Sequence, residues 1–347
     1  MERTIKKIIP LSDQVKNHAS QEDAKEQEYE GNIAEIISTG STLLDLAISG
    51  GRVRGGGLPS GILVEIFGPF GSGKTVLLCE VAGAIQRQGG QVMFHDPEAR
   101  LNKQFARQFD LDTDILEYST PDTVPEVFSS VREWNPKARG INGIFADSLA
   151  ALSTEMELSD KDQYGMRRAK EFSEELRKTC RVLVNKNLLM VCSNQVRQNL
   201  GAGPYGQKYI SPGGESIGFY SSLRLRTNKP SKIKENKKIA GKDVTRVVGV
   251  EVEVEVFKSS VWKPYRTAPL TIIFDYGIDD IRQNLQFVKD YTENKMYTVA
   301  GEGLHASLDK SIQMVEENEL VNILRNEVID LWGKIEQRFV KERKPKR

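Results

Sequence analysis

Ile62–Val81 reads "ILVEIFGPFGSGKTVLLCEV", and this stretch decides the fold. Its opening "ILVEIF" is a near-continuous run of apolar residues rich in β-branched and aromatic side chains, the pattern of a strand buried on both faces of a parallel sheet. "GPFGSGKT" (68–75) then matches G-x-x-x-x-G-K-[ST], and "TVLLCEV" opens a helix. Strand, glycine loop and helix, in that order, are the context a phosphate-binding P-loop requires. The glycines let successive backbone N–H groups converge on phosphate oxygens, and the helix N-terminus adds a favourable dipole. Gly68, Pro69, Phe70, Gly71, Ser72 and Gly73 are therefore assigned to the nucleotide loop, Lys74 to the β- and γ-phosphates, and Thr75 to Mg²⁺. A plain glycine turn would account for the spacing but not for the flanking strand and helix.

The same strand–helix alternation continues outward. "QVMFHD" (91–96), "GIFADS" (143–148) and "LLMVCS" (188–193) read as further buried strands. "TVLLCEVAGAIQRQ" reads as a helix closed by Gly89-Gly90, and "GMRRAKEFSEELRKTCRVLVNKN" as a second helix. The expected class is α/β, with a doubly wound, mostly parallel central sheet. Beyond residue 219 the pattern changes: "FYSSLRLRT", "TRVVGVEVEVEVF" and "PLTIIFDY" read as strands, with "NKPSKIKENKKIAGKD" as a lysine-rich turn between the first two. From Gly277 a small α/β piece is expected, with a helix near 280–290, a hairpin around "MYTVAGEGLHA" and helices to about 340. The polar residues 1–34, apart from "TIKKIIPL", read as an arm. The expected organisation is an arm (1–34), a P-loop core (35–276) and a small C-terminal domain (277–347) ending in the basic "KERKPKR".

Composition sets limits on function. The 347 residues carry 49 Lys and Arg against 48 Asp and Glu, a formal net charge of +1, which excludes a globally basic DNA-coating protein but not a local basic surface. Cys79, Cys180 and Cys192 are far apart and fit reduced thiols better than a disulfide scaffold. No run approaches the ~20 apolar residues that span a bilayer, and the N-terminus lacks a signal peptide's apolar core. A soluble, cytoplasmic protein with no membrane partner is expected.

Two further strand ends carry carboxylates. Asp147 closes "GIFADS" at the sheet edge where α/β proteins bind ligands, placed to orient a Mg²⁺ shell. In "FHDPEAR" (94–100), Asp96 or Glu98 is a candidate to orient or deprotonate an attacking water. His95, alone at a strand end, reads as structural. After "LLMVC" the chain runs into "SNQVRQNLGAGPYGQKYISPGGES" (193–216), an unusually long glycine-rich loop of the kind that is functional or disordered.

The ordered series "ISTGSTLLDLAI", "GGGLPSGILVEIFGPFGSGKT", "DPEARLNKQFARQFDLD", "DSLAAL", "NQVRQN" and "SPGGESIGFYSSLRLR" resembles the bacterial RecA family of DNA strand-exchange ATPases, clearly over about residues 35–275 and more loosely beyond. The resemblance implies a RecA-type P-loop ATPase core that binds ATP and Mg²⁺ between protomers. It also implies filaments of this chain on single-stranded DNA, pairing with homologous duplex DNA, and partners such as loading mediators and a single-strand-binding protein. Glu98 matches the family's catalytic glutamate and Gln195 the glutamine that senses the γ-phosphate. Phe105 stands where the family stacks a tyrosine on adenine, and Asn102 where an aspartate contacts the base. Lys258 matches one of two lysines that reach a neighbouring protomer's ATP. Ser260 occupies the other position, which implies weaker charge stabilisation there.

The same resemblance makes residues 196–212 the second DNA-binding loop. Arg197 and Lys208 suit phosphates. Tyr205 and Tyr209 offer faces to unstacked bases, worth ~1–3 kcal/mol per base. Gly213 and Gly214 end the loop. Arg167 and Arg168, in "STEMELSDKDQYGMRRAKEF", are the candidates in the first DNA loop. Lysines 229, 232, 234, 237, 238 and 242 suit either a second DNA strand or a solvated hairpin. The basic tail departs from the acidic end usual in the family, and the arm departs too, with Ile5–Leu11 expected to add to a neighbour's sheet. Two alternatives remain at this stage: a ring-forming ATPase on the same core, and an accessory or mediator that binds ATP and DNA with little turnover.

Overall fold

The computed structural model describes residues 35–153, 165–195, 197–198, 209–210, 215–341 and 343. The arm expected at 1–34, the DNA-loop residues Tyr205, Lys208, Gly213 and Gly214, and the end of the basic tail lie outside the described residues. One compact unit ends at Ile278, and a second includes the chain from Asp279 onward.

The first unit opens with β1 (Ile36–Ile37), α1 (Thr42–Ser49) and β2 (Leu58–Pro59), β1 and β2 pairing antiparallel. Ser41 caps α1 by accepting from the Leu44 N–H at 3.4 Å, and every residue of α1 is buried. There follow β3 (Leu63–Gly68), α2 (Lys74–Arg87), β4 (Val92–His95), α3 (Lys103–Arg107), β5 (Glu117–Ser119), α4 (Val124–Glu133), β6 (Asn142–Ala146), α5 (Gly165–Asn185) and β7 (Leu188–Gln195). The short β8 (Arg197–Gln198) and β9 (Tyr209–Ile210), helix α6 (Glu215–Tyr220), then β10 (Leu223–Thr227), β11 (Ser231–Ile239), β12 (Lys242–Ser259), β13 (Thr267–Ile273) and β14 (Gly277–Ile278) complete it.

Strands β10-β3-β7-β6-β4-β5 run parallel in that spatial order, and β12, β13 and β14 extend the sheet antiparallel beyond β10. This is the α/β class expected from the sequence. Strands β3 and β6 are buried throughout and β7 is buried to its penultimate residue, because helices cover both faces of the parallel half. Phe128 of α4 meets Phe172 of α5 edge to face at 6.1 Å, and Phe94 of β4 stacks on Phe145 of β6 at 5.9 Å. Helix α2 stops where Gly89 turns to φ 81° and the Gly90 N–H reaches back to the Ile85 carbonyl at 2.9 Å.

Two local expectations are corrected. Phe219 and Tyr220 end α6 rather than starting a strand, so β10 begins only at Leu223. The lysine-rich "turn" is mostly β11, which pairs with β12 from Ser231↔Glu251 to Ile239↔Lys242. The true turn is Ala240-Gly241, at φ 49° and 82°, the two positive angles a tight two-residue hairpin needs. Both faces of this hairpin are largely exposed, so β11 has no apolar alternation to betray it.

The second unit holds α7 (Asp280–Tyr291), a small hairpin of β15 (Thr298–Val299) and β16 (Glu302–Gly303), α8 (Leu308–Glu317) and α9 (Val321–Gln337). Asp279 caps α7, accepting from the Arg282 N–H at 3.1 Å. Leu285, Val288, Val299, Val315, Leu320, Leu324 and Val328 are among its buried apolar residues. Among the described residues no helix is long and apolar enough to cross a membrane.

Candidate functional site

The loop after β3 is shaped by close approaches. Gly73 takes φ 80° immediately before α2, and a Cβ there would lie 2.3 Å from the Ile272 Cδ1. A Cβ on Gly68 would lie 2.0 Å from the Thr227 hydroxyl. Ser72 donates to the Pro69 carbonyl at 2.7 Å and sits 2.7 Å from that same Thr227 hydroxyl, tying the loop to β10. Lys74 donates from Nζ to the carbonyls of Gly68 at 3.1 Å and Pro69 at 2.7 Å. Burial lowers the Lys74 pKa, and the Asp147 carboxylate works in the opposite direction. The loop thus curls around its own lysine, whose ammonium is held where incoming phosphates can take over from the carbonyls.

A cavity of about 540 Å³ opens over this loop, at the C-terminal ends of β3, β4, β6 and β7, within the size range of small-molecule sites. Phe70–Thr75 form its floor, and Ile272–Asp275 approach from the antiparallel side. Asp147 accepts from the Thr75 hydroxyl at 2.6 Å through Oδ2 and from the Ser193 hydroxyl through Oδ1. This hard-oxygen donor set fits Mg²⁺. Among the described residues no three His, Cys, Asp or Glu side chains form a metal cage. Mg²⁺ does not need one, since it is commonly held by one or two carboxylates, waters and substrate phosphates.

Geometry separates the two carboxylates after β4. Asp96 is buried, and its Oδ2 accepts from the Leu101 N–H at 2.7 Å and the Tyr118 hydroxyl at 2.9 Å, so it holds the loop in shape. Glu98 is 24% exposed, lines the cavity and pairs with Arg100 at 2.9 Å. Gln195, the last residue of β7, lies in register with Gly68 and also lines the cavity. Behind it, the fully buried Glu65 of β3 accepts from the Asn194 amide at 2.9 Å and from the Arg224 Nε at 2.6 Å. Three neighbouring strands are thereby pinned just below the cavity.

The cavity brings together Phe70, Gly71, Ser72, Gly73, Lys74, Thr75, Glu98, Phe105, Asp147 and Gln195. Gly68 and Pro69 serve it indirectly, through their carbonyls to Lys74. Phe105 packs against Phe109 with ring centroids 5.0 Å apart. Asn102 is not among the lining residues: it caps α3, its side-chain oxygen accepting from the Gln104 N–H at 2.7 Å. Lys258 is not there either. It pairs in register with Arg224, toward the opposite end of β3 from the loop, and donates to the carbonyls of Gly218 at 3.0 Å and Phe219 at 2.8 Å. Arg167 and Arg168 fall in the first turn of α5. Arg197 pairs with Ile210 and Gln198 with Tyr209, so the long segment after β7 begins as a paired stem rather than an open loop. Sequence reading missed Ser193 and Arg100. A hydroxyl inside an apolar strand, two residues before Gln195, was the available signal for the first. Arg100 carried none, since an arginine in a polar loop is ordinary.

His95 is buried between hydroxyls, with Nδ1 2.7 Å from Ser119 and Nε2 3.0 Å from Ser130, and is not among the cavity-lining residues. Burial brings its pKa down from 6.5 to about 4. Between those values the unfolded chain binds the extra proton and the folded one does not, so stability rises with pH across that window. Acidification from pH 7 to pH 5 is expected to remove roughly 2 kcal/mol through this group. Urea unfolding of wild type and His95→Gln at both pH values checks it, and equal pH slopes in the two proteins would contradict the assignment.

The family model described as the RecA N-terminal domain matches residues 17–279, well over half of the chain. Protein RecA of Acholeplasma laidlawii (strain PG-8A) is 31% identical over 304 residues, covering 85% of this chain and 86% of that protein. Protein RecA of a Thermus thermophilus strain is 31% identical over 311 residues, covering 87% and 86%. The crystal structure of the RadB recombinase aligns at 19% identity with a TM-score of 0.49, covering 70% of this chain and 98% of that one. With a P-loop cavity in place and the family model spanning it, this chain belongs to the RecA family and is a RecA-type recombination protein with DNA-dependent ATPase activity.

Proposed function

We propose that this protein polymerises on single-stranded DNA with ATP between protomers and pairs the coated strand with homologous duplex DNA. The observation that carries the reading is the double position of Gln195, which borders the cavity and leads directly into the segment 196–214. A side-chain amide that bonds a terminal phosphate biases the placement of the chain that follows it. By linkage, DNA on that segment then biases nucleotide affinity equally.

In this reading Lys74 neutralises the β- and γ-phosphates and Glu98 orients the attacking water. Thr75 and Asp147 would hold Mg²⁺, which would supply neutralisation of the phosphate charge. Phe105 offers its face to the base and Asn102 its amide. Lys258, remote from its own chain's loop, serves the nucleotide of a neighbouring copy. Arg167, Arg168, Arg197, Tyr205, Lys208, Tyr209, Gly213 and Gly214 contact DNA, and the exposed lysines of the β11–β12 hairpin attract a second strand. The arm (1–34) joins protomers, the core (35–276) hydrolyses ATP and the C-terminal piece (277–347) carries the basic tail. Loading mediators and a single-strand-binding protein are the expected partners. Three free cysteines suit a reducing cytoplasm.

The test is single-stranded oligonucleotide affinity at matched ionic strength with a non-hydrolysable ATP analogue and with ADP. The expected difference is about 5–150-fold in favour of the triphosphate state. Equal affinities would remove the coupling on which the proposal stands.

A further inference from the structure

The cavity is short of positive charge. Among the described residues its lining carboxylates are Asp96, Glu98, Asp147 and Asp275, and its lining cations are Lys74 and Arg100. A nucleoside triphosphate with one divalent ion still brings net negative charge, so a second cation matters. Lys74 is fixed by the loop carbonyls, whereas the Arg100 side chain is 76% exposed and anchored only at its tip, by Glu98 at 2.9 Å. Ala99, between them, takes φ 50°, and its N–H bonds the Asp96 carbonyl at 3.0 Å, a tight turn that sets residues 98 and 100 side by side.

We infer that Arg100 is a terminal-phosphate contact supplied by the chain's own loop: its guanidinium leaves Glu98 when a nucleoside triphosphate enters and binds the γ-phosphate instead. This rests on the reading of the cavity as an ATP site. An exposed arginine–carboxylate pair is worth little and is easily given up. Guanidinium–phosphate bonds are charge-assisted and can be bidentate, and are favoured over it. The exchange has a second effect. While paired, Glu98 has its carboxylate engaged by a cation and is poorly placed to accept a proton from water. Once Arg100 moves to phosphate, Glu98 is released for that task, at the moment a substrate with a terminal phosphate is present. A diphosphate offers nothing at that position, so the pair re-forms after hydrolysis.

The experiment measures dissociation constants of Mg²⁺-ADP and of a non-hydrolysable ATP analogue, on the full chain, for wild type, Arg100→Ala and Arg100→Lys. Arg100→Ala is expected to weaken the analogue about tenfold while ADP binding stays within about twofold, and ATP turnover should fall at least as much as analogue affinity. Arg100→Lys should recover part of both, since it restores charge without the planar fork. Equal weakening of ADP and analogue would put Arg100 on the shared part of the nucleotide, and no change in either would make it a surface residue; either result overturns the inference. A faster Arg100→Ala enzyme with unaltered analogue affinity would also overturn it, leaving only a restraint on Glu98. Failure of wild type to bind either nucleotide would instead strike the ATP reading itself.

Discussion

Lys74→Ala is expected to lower ATP turnover about 10²–10³-fold, the usual cost of removing one preorganised charge donor from a transition state. The structure gives the reason for so large an effect. The ammonium is gathered in by the carbonyls of Gly68 and Pro69 at the mouth of the loop, so little reorganisation is needed to hand it to a phosphate. Alanine leaves the loop without its one internal cation, and Arg100 is an exposed side chain rather than a fixed one. Strand exchange should fail with turnover, because Lys74 is placed to hold the phosphates on which the proposed coupling through Gln195 depends. The thermal unfolding midpoint should change little, since the Pro69 carbonyl keeps the Ser72 hydroxyl as a donor at 2.7 Å. Turnover retained above about one tenth of wild type would contradict the assignment of Lys74.

Glu65→Ala is expected to destabilise the core unit by about 3–5 kcal/mol, the range for breaking a buried ion pair from one side. Glu65 is 0% exposed, and Arg224 and Asn194 both spend hydrogen bonds on it. Alanine would leave a largely buried guanidinium and an amide without their acceptor in the middle of the sheet. Arg224 also lies over the Phe67 ring at 4.4 Å, so it cannot turn to water without giving up that packing. Glu65→Gln should cost less, because an amide oxygen can still accept from Asn194. The denaturant midpoint of each variant checks this; a Glu65→Ala loss under about 1 kcal/mol would show that water reaches the network. A change in nucleotide affinity should accompany the loss of stability, since Asn194 is the residue that holds Gln195 from behind.

Much of the architecture was legible because the parallel half obeys simple rules. "ILVEIF", "QVMFHD", "GIFADS" and "LLMVCS" are continuous apolar runs, and each is a strand within a residue or two of its expected bounds. The helix after Lys74 and its glycine stop were equally plain. Strand β5 was not foreseen, because Glu117, Tyr118 and Ser119 are exposed and leave no apolar pattern. β11 was missed for the same reason, its lysines suggesting a turn where cross-strand pairing with β12 makes a strand. At the site, the loop and the strand-end carboxylate follow from local chemistry. The choice between Asp96 and Glu98 does not, since it depends on Tyr118, which lies 22 residues from Asp96 in sequence and whose hydroxyl occupies its carboxylate. The Glu65 network is illegible for a related reason: one of its members is 129 and the other 159 positions away along the chain.

Among the described residues, β11 pairs with β12 alone, so the outer rim of the hairpin leaves a row of backbone donors and acceptors open to any extended chain. Sheets so exposed recruit further copies edge to edge and precipitate. Lys232, Lys234, Lys237 and Lys238 sit along that rim, and bringing a second such rim alongside would crowd like charges into a ladder spaced under ~5 Å. The lysine side chains of the ribbon therefore protect it against amyloid-like stacking without any covering element.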